Sequence, residues 1–145
     1  MLFTSTMQTV LRYSLAYVFW LLTIALIVLV ALVVRDSYEF FVAISRLHRY
    51  AAHAGNNFLT LLLGMVMLVA LIFTEHWYRT GVANGKLVGR FMRVVALLLA
   101  SVAIFHTLRV VGEASIGQWS IISTGIAVLE WVAAAALWRF SRAKL

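Results

Sequence analysis

Glu130 is a lone carboxylate inside an apolar run, and its neighbours decide what chemistry it could perform. A carboxylate within a hydrocarbon layer costs about 2.5–3.5 kcal/mol, so it must face protein, pair with a cation or hold a proton. Ser123, Ala127, Glu130 and Ala134 follow helical spacing and place the acid on a stripe of small residues suited to close helix packing. Ala96, Ala100, Ala103 and Thr107 form a matching stripe, with Arg93 one turn earlier on the same face. Antiparallel packing of the two stripes makes Arg93 the expected partner of Glu130, across a depth difference of about 8 Å. Two chemistries fit: a carboxylate that couples to protons or ions in a channel or transporter component, or an ion pair or neutral acid that fixes helix register. The second is favoured, because conduction needs a chain of polar groups and the first half of the chain offers little beyond Thr23, Thr60 and Thr74.

The histidines raise a third possibility. His106 and His53 fall toward the same end of their runs, where two imidazoles could sandwich a haem or reach the magnesium of a chlorophyll-type pigment. His76 lies toward the opposite end and His48 in a polar stretch. No two histidines share one face of one helix, so interfacial hydrogen bonding is the simpler reading, and no metal site is expected at ligand spacing. Lys86, Arg90 and Arg93 form the densest cationic group. They read as topology signals that snorkel to the interface, or as contacts to an anionic lipid head group.

The elements that must position these residues are apolar runs. Residues 13–34, 50–74, 94–108 and 114–129 carry no Asp, Glu, Lys or Arg, and the last run resumes at 131–138 after Glu130. About 20 apolar residues cross a hydrocarbon core of roughly 30 Å as a helix, and an unbroken run does not fit the alternation of barrel strands. The expectation is therefore an all-α membrane protein of four transmembrane helices in an antiparallel bundle, spanning 13–34, 57–77, 89–110 and 118–139 in one domain. A short amphipathic segment separates the first two spans. In it Phe40, Phe41, Ile44 and Leu47 alternate with Asp36, Glu39, Arg46 and Arg49. It either lies on the interface or extends the first helix toward water. Thr4, Ser5 or Thr6 is the expected cap of the first helix, and Gly55-Asn56-Asn57, Thr80–Lys86 and Gly112–Gln118 are expected breaks. The first run is too long for a signal-peptide core and is expected to be retained.

Composition narrows the function. The chain is 64% apolar and 12% charged, too few polar groups to cover a soluble fold. Its net charge of +7 sits at the run ends, which argues for lipid and topology contacts and against nucleic acid. One side collects eight basic residues and the other four, so both termini are expected in the cytoplasm of a bacterial inner (plasma) membrane. There is no cysteine and no proline, hence no disulfide, thiol nucleophile or proline kink. Phosphate-binding glycine loops, nucleophile elbows and metalloprotease signatures are absent, so no enzymatic activity is expected. With so little soluble surface, partners are expected within the membrane: lipid, other transmembrane subunits, or further copies of the chain.

Tyr78-Arg79-Thr80-Gly81, then Arg90, then Arg109, with Asp36 past the first span and a basic tail, resembles the phosphate-starvation-inducible E (PsiE) family of small four-span bacterial inner-membrane proteins. Gly89 stands where that family usually has a proline, and Arg109 lies later than its second arginine. The resemblance implies an inner-membrane protein linked to phosphate limitation, with no assigned catalytic activity.

Overall fold

A computed structural model describes the backbone of residues 2–45 and 47–143, and side chains within 7–142 apart from Gln8 and Arg46. Arg46 and Lys144, both in the charge count above, lie outside the described residues, as do the side chains of Thr4, Ser5 and Thr6. Four helices follow in order: α1 (Leu2–Ser45), α2 (Arg49–Ala83), α3 (Leu87–Ser115) and α4 (Ile121–Ala143), with no strand among the described residues. Each is long and apolar enough to cross a membrane. The chain is an all-α, multi-pass membrane protein.

The helices outrun the apolar spans. With 44 residues, α1 is about 66 Å long, roughly twice a hydrocarbon core. The amphipathic segment is therefore no separate element: it completes α1 and opens α2, the second of the two arrangements its pattern allows. Ser37 is buried, Phe40, Phe41 and Ile44 are half-buried, and Asp36 and Glu39 are exposed, as the spacing requires. The expected break at Gly55-Asn56-Asn57 is a correction, because α2 runs through all three. Gly55 is there for close approach, since a Cβ would run into the Tyr38 hydroxyl. Helix α1 ends instead just before residues 46–48, a stretch with neither glycine nor proline.

The other two connections obey their glycines. Gly85 and Gly117 have φ of 68° and 74°. Lys86 N–H bonds the Gly81 carbonyl and Gly85 N–H that of Val82, and Gln118 and Gly117 repeat the pattern on Glu113 and Ala114. Both α2 and α3 thus close in a Schellman motif, whose left-handed residue suits glycine.

Packing is lopsided. Helices α1, α2 and α3 all touch one another, whereas α4 packs on α3 and no α4 Cα comes within 8 Å of α1 or α2 among the described residues. The core of the three-helix part gathers Ala16, Tyr78, Val82 and Leu87, surrounded by Phe19, Trp20, Trp77, Phe91 and Val94. Phe19 stacks on Phe91 at 4.2 Å between centroids. In lipid there is no hydrophobic drive between helices, so close packing and hydrogen bonds must hold them. Trp20 donates to the Leu71 carbonyl at 3.2 Å. The fully buried Thr23 hydroxyl donates to the Phe19 carbonyl at 2.8 Å, and its oxygen lies 2.7 Å from the Tyr78 hydroxyl. Thr23 has one proton to give, so Tyr78 is the donor between them.

That order of donors makes the two partners unequal. Tyr78→Phe removes a donor and leaves Thr23 bonded, at a cost of about 1 kcal/mol. Thr23→Val strands a buried phenol without its acceptor and should cost about 1–3 kcal/mol. Thermal unfolding in detergent should rank Thr23→Val below Tyr78→Phe.

Candidate functional site

Glu130 is the tenth residue of α4, and its carboxylate meets α3 at His106. Nδ1 of His106 lies 2.8 Å from each carboxylate oxygen. With an ionised carboxylate, which only accepts, the donor between them is Nδ1–H. One residue further along both helices, Trp131 Nε1–H donates to the Thr107 hydroxyl at 3.1 Å, and Thr107 donates to the Ala103 carbonyl at 2.7 Å. These two cross-links set an antiparallel register in which 106 is level with 130. The side chains of His106 and Glu130 keep 30% and 19% of their exposure, because no third helix covers this edge.

The pairing of Arg93 with Glu130 is therefore corrected. Arg93 is thirteen residues from His106 on α3, about 20 Å of rise, and in this register it lies opposite the end of α4. Its Nε is buried without a hydrogen-bond partner among the described residues. The signal for His106 was present in the chain. A hairpin brings level those residues equally far from its turn, and His106 and Glu130 are each twelve positions from Gln118.

Two ends of the molecule can now be distinguished. The Arg109 end carries the α1–α2 and α3–α4 connections, and the Arg93 end carries the α2–α3 turn. At the first, the Arg109 guanidinium donates through Nη1 to Asp36 on α1 and through Nε to Glu113 at 3.2 Å. It also lies 5.4 Å from the centre of the Phe40 ring. Phe40 and Phe41 close on Gly112, where a Cβ would fall 2.8 Å from Phe40. The Arg109–Glu113 pair follows from its spacing, whereas Asp36 enters only because α1 continues past its apolar run.

The remaining candidates separate. His53 and His48 line a cavity of about 750 Å³ with Tyr38, Glu39, Arg49 and Asn56, at the top of the α1–α2 hairpin. His106 lines a different one, so the structure does not bring His53 and His106 together as a sandwich. His76 sits on the exposed side of α2 near the Arg93 end. The cationic group divides as well. Arg90 donates to the Trp77 carbonyl at 2.6 Å and stacks 4.5 Å from the Trp77 ring, binding α3 to α2. Lys86 and Arg12 line an open cavity of about 370 Å³ beside the α2–α3 turn. No known family, curated protein or solved structure matches the chain.

A double-mutant cycle distinguishes the two registers. His106→Ala and Glu130→Ala should show a coupling of about 0.6–2 kcal/mol, the range for hydrogen bonds between membrane helices. Arg93→Ala and Glu130→Ala should be additive within about 0.5 kcal/mol.

Proposed function

We propose that this chain is a non-enzymatic membrane protein that works by lateral association, as an accessory or assembly subunit of a membrane complex or as a homo-oligomer. The observation that carries the reading is the uncovered His106–Glu130 edge. The part of an intramembrane carboxylate–imidazole pair that its own two helices leave uncovered is costly in lipid, and a helix laid against α3 and α4 removes that cost. Helix α4 supports it further, since it is held by one neighbour and presents Ile122, Leu129, Val132 and Phe140 outward. The family resemblance of Tyr78–Arg109 points to the same kind of protein, small, four-span and without assigned catalysis. The excess of basic residues at the Arg93 end supports a reading in which that end faces the cytoplasm from a bacterial inner membrane.

Extraction in native-lipid particles followed by mass determination tests the reading. More than one transmembrane chain per particle is expected, whether copies of this one or another subunit. Replacing both members of the pair, His106→Leu with Glu130→Leu, makes the edge apolar and should weaken association at least tenfold, while the Trp131–Thr107 bond still ties α4 to α3. A strictly monomeric wild-type protein would contradict the proposal.

A further inference from the structure

Polar side chains stand among apolar ones on the wall of the α3–α4 hairpin above the pair. On α3, His106, Arg109, Val110 and Glu113 fall on one helical face, and on α4 Ser123, Ile126 and Glu130 do the same in reverse. His106, Arg109, Val110, Glu113, Ser123 and Ile126 enclose a crevice of about 190 Å³. A liquid water occupies about 30 Å³ and needs two to four polar partners when buried, so this space has room for several. The walls supply those partners: an imidazole, a guanidinium, a hydroxyl and a carboxylate. The Glu113 carboxylate gives one oxygen to Arg109, and its Oε2 is buried with no hydrogen-bond partner among the described residues.

The opposite direction is lined by small apolar groups. Below the pair, the stripes consist of Ala103, Ala100 and Ala96 on α3 and Ala134 on α4, and Ala96, Ala103 and Ala134 are buried. Ser101 commits its proton to the Leu97 carbonyl and Thr107 to that of Ala103. The next charged group along α3 is Arg93, about 20 Å away.

We propose that His106 and Glu130 form a proton-exchange site, loaded from the Arg109 end through this crevice and closed toward the Arg93 end. The ligand is a proton and not a metal ion, since the described residues place no third histidine, carboxylate or cysteine where a metal would be held. Unloaded, the neutral imidazole donates Nδ1–H to the carboxylate and the pair carries one negative charge. A proton passed along crevice water to the imidazole gives an imidazolium–carboxylate pair with no net charge, and it leaves by the same route.

The groups facing the site favour this traffic. From α3 they are Arg109 and Glu113, from α4 Ser123, and from α1 Asp36, through Arg109. Arg109 bonds two carboxylates, Asp36 and Glu113, so the mouth of the crevice carries no excess positive charge to repel a proton. Because entry is one-sided, the pair responds to acidity at one face and is not a conduit across the membrane. The exchange does not require association with another chain.

The chain has no cysteine, which makes single-cysteine accessibility a clean test. In proteoliposomes, Ser123→Cys should react with a charged, membrane-impermeant thiol reagent at least tenfold faster than Ser101→Cys, and only when the reagent is on the Arg109 side. Infrared difference spectra of the wild-type chain, taken on stepping the pH at that side, should contain carboxylate and imidazole bands that vanish in Glu130→Gln and in His106→Gln. Equal reactivity of the two cysteines, or spectra unchanged by both substitutions, would overturn the assignment and leave a purely structural pair. Labelling of Ser123→Cys does not depend on how well the Glu130 and His106 variants fold.

Discussion

A carboxylate placed among apolar residues must find a hydrogen-bond donor on another helix, and in this protein that need determines where α4 sits. Among the described residues, helix α4 has one neighbour. Its polar links to α3 are the His106–Glu130 and Trp131–Thr107 bonds, the second reaching across a depth difference of two residues through the long indole. Between apolar helices in lipid, sliding by a turn costs little in buried area, because lipid and leucine are alike to a methyl group. Two hydrogen bonds that survive only in one register are what make the arrangement specific.

The other three helices are organised by a different device. Aromatic side chains of α1, α2 and α3 interdigitate around Tyr78, and polar groups within that cluster are satisfied by backbone carbonyls or by one another: Trp20 on Leu71, Thr23 on Phe19, Arg90 on Trp77. At the Arg109 end, α1 and α2 continue past their apolar runs, and Arg109 ties α1 to α3 there. The exposed pair of Arg109 and Asp36 adds little stability in water. Its contribution is to set the charge at the mouth of the crevice that leads to His106. The part of the molecule able to meet water and the part that holds the intramembrane acid are thus joined along one face of α3.

Much of this was legible in the residues. Long apolar runs, the last interrupted only by Glu130, mark four helices, and Gly85 and Gly117 mark two connections for a reason that the backbone confirms. The first connection was not legible, because no breaker stands at 47–48 while Gly55, which looks like one, is a contact surface for Tyr38. Glu130 announced itself by its setting, but its partner did not. Cation-to-acid matching pointed to Arg93, whereas register, counted outward from the turn at Gln118, leads to His106. Helical spacing within one span tells which residues share a face; only the length of the connecting turn tells which residues of two spans share a depth. The isolation of α4 from α1 and α2 has no counterpart in the spacing at all, since it depends on how three helices pack around α3.

The central claim is that His106 and Glu130 lie level and hold α4 in register on α3. Ala103 and Ala134 are buried and fall together in that register, three residues from His106 and four from Glu130. The most direct measurement is oxidative cross-linking of paired cysteines in native membranes. Ala103→Cys with Ala134→Cys should form an intramolecular disulfide readily, and Ala96→Cys with Ala134→Cys should not. Efficient bridging of the second pair and not the first would place Glu130 nearer Arg93, contradicting the register, the pair and the crevice that leads to it.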